Sequence, residues 1–220
     1  MENINLLNIP LFEGVSKEDY EKMYFCFSAY NKSFDIHDII CNYGESNNLV
    51  GIILEGKASV IRIDINGNQT ILESLNPTDM FGERLSFSGA NGDSIFVIAK
   101  KACTILFIDY YHITKRCSNA CLHHSMLVEN LFKIMAKKSL KLSERIEVLS
   151  HRTIRDKLLC YFSICAVETH NRKFRLPSSL TALSEYLCVD RSAMMREIKN
   201  LKDEGLLEIN KGIVSLPENN

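Results

Sequence analysis

LTALSEYLCVDRSAMMREIKNLKDEGLL, residues 180–207, divides into two short amphipathic helices around a tight turn. Leu180, Leu183 and Leu187 recur at spacings of three and four, which puts them on one helical face. The spacing breaks at Cys188 and Val189, and Asp190 brings the short carboxylate that caps a new helix. In that second helix Met194, Ile198 and Leu201 form the inward stripe. Arg191, Ser192, Met195, Arg196 and Lys199 fall on the other face with few acids among them, and Thr181 of the first helix joins this outward set. Two helices joined by a turn of about three or four residues, the second carrying a row of donors, suit insertion into the major groove of DNA. Arg bonds guanine in bidentate fashion, and Lys neutralises phosphate. A plain helical hairpin with a solvated charged face has the same periodicity, so the flanking sequence has to separate the two.

Gly205 ends the second helix, and Leu206-Leu207-Glu208-Ile209 then alternates as a strand does. Asn210-Lys211-Gly212 makes a turn, and Ile213-Val214-Ser215-Leu216 returns. A small hairpin directly after the second helix is the wing of a winged helix-turn-helix, which the plain hairpin lacks.

Charge supports the same division. The formal net charge of -1 hides an acidic first part and a basic second part. Residues 1–112 hold 8 Lys and Arg against 15 Asp and Glu, while residues 113–220 hold 18 against 12. A basic C-terminal half fits a nucleic-acid surface of modest, salt-dependent affinity. No basic flank with an apolar core stands at the N-terminus, and no apolar run is long enough to span a bilayer. The eight cysteines are scattered through stretches that read as helix or strand, which predicts reduced, buried thiols in a cytoplasmic protein.

Upstream, Ile9-Pro10-Leu11-Phe12 forms an apolar cluster, and Ser16 caps a helix from Lys17 to Phe27. From Asn31 to Tyr110 the texture changes to short strands: Val50–Leu54, Ala58–Ile63, Thr70–Leu72, Ile95–Ala99 and Thr104–Ile108. Asp64-Ile65-Asn66-Gly67 is a hairpin signal among them. Such punctuation predicts a jelly roll or small barrel. From Ser118 to Leu149 there is neither Gly nor Pro, and Leu127, Leu131, Met135, Leu142 and Ile146 repeat at helical spacing. Thirty-odd helical residues span about 45 Å, a length that predicts a dimer seam. Ser150 to Thr153 reads as a stop and restart, with Thr153 as N-cap and Asp156 three positions on, and the hinge is expected there.

An acidic strand-rich domain, a long helix and a winged helix-turn-helix, in this order, resemble the family of the cyclic-AMP receptor protein and the fumarate-nitrate regulator. LVGIILEGKASVIRIDINGNQTILESLNPTDMFGE (49–83), VDRSAMMREIKNLKDEGLL (189–207) and IPLFEGVSKED (9–19) carry the resemblance, and nearly the whole chain is covered. It implies an α+β architecture: a β-roll like that of cyclic-nucleotide-binding domains at 1–116, a dimerisation helix at 117–150 and the DNA-binding domain at 151–220. It also implies a dimeric transcriptional regulator rather than an enzyme, with a two-fold symmetric DNA site and RNA polymerase as partners and no membrane. In nucleotide-binding members a Gly-Glu pair holds the ribose and an Arg-Ser pair the cyclic phosphate. Here Gly82-Glu83 and Ser94 match, with Arg84 beside them, but Asp93 stands where the Arg should be. Two like charges at ~4 Å repel by about 1 kcal/mol even in water, so cyclic AMP is expected to be refused, and the effector's identity stays open.

Four-thiolate iron-sulfur ligation lacks a close-spaced set, since only Cys26 and Cys41 lie early in the chain. Cys117 and Cys121, followed by His123 and His124, have a spacing that zinc or haem could use, though a helix start with free thiols has it equally, and no metal site is assigned. No nucleophile, base and orienter arrangement is visible. A regulator responsive to metal or haem, a regulator whose roll has lost its ligand, and a dimeric roll that only binds proteins remain as alternatives.

Overall fold

Strands buried on both faces explain why the middle of the N-terminal region is apolar without alternation. In the computed structural model, which describes residues 9–26, 28–44, 48–82, 94–114 and 122–217, two compact units form, Met1–Met135 and Ala136–Asn220. The first holds strands β1 (Tyr30–Phe34), β2 (Ile39–Asn42), β3 (Leu49–Glu55), β4 (Ala58–Ile63), β5 (Gln69–Leu75), β6 (Met80–Phe81), β7 (Ile95–Ala99) and β8 (Cys103–Asp109). They make two antiparallel four-stranded sheets, in the orders β1-β8-β3-β6 and β2-β7-β4-β5. Successive side chains of a strand point to opposite faces. On β3 and β8, Ile53, Ile105 and Phe107 join Phe34, Val60 and Phe81 in one core. Val50, Ile52, Leu106 and Ile108 enter a second core with Ile9, Leu11, Phe12 and Val15. The jelly-roll expectation is met, with β6 as a strand that sequence spacing did not reveal. The tip of the Phe81 ring points at Gly51, where a Cβ would lie 2.1 Å from Cζ.

Helix α1 (Lys17–Cys26) starts at Ser16, whose hydroxyl accepts the Asp19 amide at 3.2 Å. The short α2 (Tyr110–Thr114) follows β8, and the long α3 runs Leu122–Ser150. Here the expected seam needs correction. Leu127 is 0 % exposed and Leu131 8 %, both within the core of the first unit, and Met135 packs partly against that core. Asn130, also buried, donates to the carbonyls of Leu11 at 3.1 Å and Glu13 at 2.8 Å. The apolar side chains of α3 left open are Phe132, 71 % exposed, Leu140, Leu142 and Ile146, 69 % exposed. Phe132 and Leu140 were absent from the expected set. Leu127 and Leu131 are claimed by the roll, in the core that also holds Leu11 and Phe12 from the turn before α1.

The boundary of the two units falls at Met135/Ala136, inside α3. The expected division at 150/151 therefore lies within the second unit, which keeps the end of α3 by local bonds. Val148 is buried there, Lys141 pairs with Glu168, and the Arg145 guanidinium lies 5.3 Å from the Tyr186 ring centre. Helix α4 (Ile154–Glu168) starts as expected, with Thr153 Oγ1 accepting the Asp156 amide at 3.0 Å. Strand β9 (Lys173–Arg175), helices α5 (Leu180–Tyr186) and α6 (Arg191–Asp203), and strands β10 (Glu208–Asn210) and β11 (Ile213–Ser215) complete the unit. The three strands form one sheet in the order β10-β11-β9. Among the described residues, no helix is long and apolar enough to cross a membrane.

Candidate nucleic-acid interface

Three apolar side chains anchor α6 and leave its far side open. Met194, Ile198 and Leu201 are buried with Leu183 and Leu187 of the preceding helix and turn, against Leu158 and Phe162 of α4. Burying a side chain of this size contributes about 1.5–3 kcal/mol relative to leaving it exposed, so the rotation of α6 about its axis is set by the core. Ser179 begins α5 by accepting the Ala182 amide at 3.2 Å. The turn passes through Cys188 at φ 54, a left-handed conformation uncommon for a non-glycine residue. The Cys188 and Val189 amides close it onto the Glu185 and Ser184 carbonyls at 3.2 and 3.1 Å.

Asp190 then caps α6. Its Oδ1 accepts the Ala193 amide at 2.8 Å and the Ser192 hydroxyl at 2.5 Å. The Ser192 hydroxyl, the Ala193 amide and the nearby Arg196 charge hold the Asp190 carboxyl below its ordinary 3.8. Arg191, Ser192, Arg196, Lys199 and Thr181 are all exposed, as their spacing predicts. Met195 is half-buried and packs on the core, so it borders the open face rather than lying on it. Arg191, Arg196 and Lys199 form no ion pair among the described residues. Two acids near the face are tied elsewhere: Glu204 and Glu197 both pair with Arg155 of α4, the latter at 3.3 Å. Glu197 and Glu204 are thus drawn towards Arg155, while the Asp190 cap stays near enough to Arg196 to feel its charge. Strand β9 places Arg175 opposite Ile213 and Lys173 opposite Ser215 of β11.

In the roll, only the two ends of the expected effector segment are described. Gly82 sits at φ +89, and a Cβ there would lie 2.6 Å from the Leu49 carbonyl oxygen, so glycine is required. Its amide donates to the Tyr43 phenol oxygen at 2.8 Å, a partner that no local spacing reveals. Ser94, at φ 70, accepts the Ile63 amide through its carbonyl at 2.9 Å. Glu83, Arg84 and Asp93 lie outside the described residues, as do Cys117 and Cys121 and the side chains of His123 and His124. Among the described residues no three His, Cys, Asp or Glu side chains are placed to hold a metal ion. An open groove of about 380 Å³ in the second unit is lined by Glu147, His151, Asp156, Leu159, Cys160, Ser163 and Ile164.

Comparison with known proteins agrees with this architecture. Residues 31–119 match the family model of cyclic nucleotide-binding domains. No curated protein matches the sequence. Among solved structures, the catabolite activator protein of Thermus thermophilus is 18% identical, aligning over 95% of this chain and 94% of its own with a TM-score of 0.52. A CooA mutant from Carboxydothermus hydrogenoformans is 17% identical over 88% and 86%, with a TM-score of 0.64. The global regulator CLP of Xanthomonas campestris, described as responsive to c-di-GMP, is 14% identical over 89% and 97%, with a TM-score of 0.60. The chain has the fold of the regulators grouped with the cyclic-AMP receptor protein and the fumarate-nitrate regulator.

Proposed function

We propose that this protein is a dimeric, cytoplasmic, DNA-binding transcriptional regulator, with no enzymatic activity, whose second unit is a winged helix-turn-helix. Helix α6 is its recognition helix, entering the major groove by its first turns, and β10 and β11 form the wing. The observation that carries the reading is the open face of α6. Arg191, Arg196 and Lys199 stand exposed there and form no salt bridge among the described residues, while Met194, Ile198 and Leu201 lock the opposite face into the core. A purely structural helix has no need to gather three exposed cations on one face.

Dimerisation uses α3. Phe132, Met135, Leu142 and Ile146 follow the three-and-four spacing of a parallel helical seam, and the first and the last two of them are exposed on the single chain. Two copies related by a two-fold axis set two recognition helices about 34 Å apart, which suits a palindromic site with half-sites one helical turn apart. RNA polymerase is the protein partner such a regulator works on. The roll is the sensor, and Asp93 makes it refuse cyclic AMP.

Selection from a random duplex library tests the reading. Wild type should enrich a two-fold symmetric sequence of roughly 14–22 base pairs, and Arg196→Ala should lose the preference at one base pair per half-site. An unchanged selected sequence and affinity in Arg196→Ala would remove the assignment of α6. Titration calorimetry with cyclic AMP tests the sensor, and tight binding by wild type would overturn the role given to Asp93.

A further inference from the structure

The hydroxyl of Ser192 is committed. Its oxygen lies 2.5 Å from Asp190 Oδ1, and the same carboxylate oxygen is fixed by the Ala193 amide at 2.8 Å. Asp190 is held below the ordinary carboxylate range by these bonds, so it is ionised at neutral pH. An ionised carboxylate only accepts. The proton between the two oxygens therefore belongs to Ser192 and points back along the helix cap. What the exposed side chain offers outward is the two lone pairs of Oγ.

A serine is ordinarily indifferent at a base edge, because its hydroxyl rotates to donate or accept as required. Here one of the two roles is already used. Adenine N6 and cytosine N4 carry amino groups in the major groove, whereas guanine O6 and N7 and thymine O4 are acceptors. Resting on α6 as the recognition helix, we infer that Ser192, oriented by Asp190, is a dedicated hydrogen-bond acceptor that selects an amino base, adenine or cytosine, on the strand it contacts. A keto base there sets oxygen lone pairs against oxygen lone pairs and leaves both unpaired. Arg191 and Arg196, which carry donors only, complement it by favouring guanine. The first turns of α6 thus present donor, acceptor and donor from residues 191, 192 and 196. Asp190 is a positioning residue in this scheme: it touches no base and decides which bases Ser192 accepts.

The test uses the full chain and the sequence that wild type selects from a random duplex library. Affinities of wild type, Ser192→Ala and Asp190→Gly are measured by fluorescence anisotropy on duplexes carrying all four bases at each half-site position. Wild type should show one position where adenine or cytosine on one strand is favoured over guanine and thymine by about three- to tenfold, the worth of one hydrogen bond. Ser192→Ala should lose that preference alone and keep those at the neighbouring positions. Asp190→Gly frees the hydroxyl while leaving a tolerated N-cap residue, and should let guanine and thymine approach the amino bases. Asp190→Ser, another capping residue, replaces it if circular dichroism shows that glycine costs the helix. A Ser192-dependent preference for guanine or thymine, no change at any position in Ser192→Ala, or a full preference retained without Asp190 would each overturn the inference. Failure of wild type to select any sequence would instead remove the recognition helix on which it rests.

Discussion

The roll and the helical unit bury their apolar residues by different periodicities, and the difference decides where function can be read. On β3 and β8 alternate side chains enter two different cores, so neither face is left to carry a polar signal. On α6 every third or fourth residue goes inward, and the remaining face stays in water with Arg191, Arg196 and Lys199. A strand with both faces covered reports only that it is buried. A helix with one face covered must say something about the other. Helix α3 stands between these cases, since its Leu127 and Leu131 serve the first unit and its Val148 the second, while Phe132 and Ile146 serve neither.

The sharpest way to break this contrast lies in two neighbouring residues of α3. Leu131→Ala should cost the first unit about 2–5 kcal/mol, as removal of a buried leucine does. Phe132→Ala should leave the stability of dilute protein within about 0.5 kcal/mol but weaken self-association. Urea unfolding and sedimentation equilibrium measure the two effects. A dimer that survives Phe132→Ala unchanged would separate α3's open face from assembly.

Asn130→Ala comes next, at about 1–3 kcal/mol, because the Leu11 and Glu13 carbonyls lose their buried donor. The same unfolding experiment detects it, and a neutral result would mean that water replaces the amide.

On the helical unit the expected effects are on binding. Arg196→Ala should cost about 1–3 kcal/mol on the selected site and relax one base pair per half-site. Lys199→Ala should weaken binding to every sequence and reduce the slope of affinity against salt by about one phosphate's worth. Equal effects of the two variants on random and selected duplexes would erase the distinction between reading and neutralising.

The smallest effect is on pH. Asp190's pKa is lowered on folding, so its cap contributes fully above the unfolded carboxyl value and is lost as pH falls through the lower folded value. Helix α6 should therefore be insensitive to pH above the ordinary 3.8 and loosen only below it. Amide exchange at Ala193 follows this directly, and protection lost already near neutrality would contradict it.

Most of the second unit follows from local spacing. The caps at Thr153 and Asp190, the inward stripe of α6 and the hairpin after Gly205 are all set within about a dozen residues of chain, where helix and turn geometry act. The strands of the roll are legible for the same reason, down to the Asp64 turn, whose carboxylate accepts the Asn66 and Asn68 amides at 2.8 and 2.9 Å.

What the amino-acid order left undecided is which residues of the apolar stripe on α3 go to a core and which stay open. Leu127, Leu131, Met135, Leu142 and Ile146 follow one helical spacing, and Phe132 lies beside it. All are apolar, so periodicity alone assigns none of them to the core. Only the packed structure separates them: Leu127 and Leu131 join the core of Leu11 and Phe12, while Phe132, Leu142 and Ile146 stay exposed. Tyr43 reaching the Gly82 amide and Arg155 withdrawing Glu204 from the face of α6 are decided in the same way. Each joins residues about forty to fifty positions apart, across a separation at which the sequence carries no period to read.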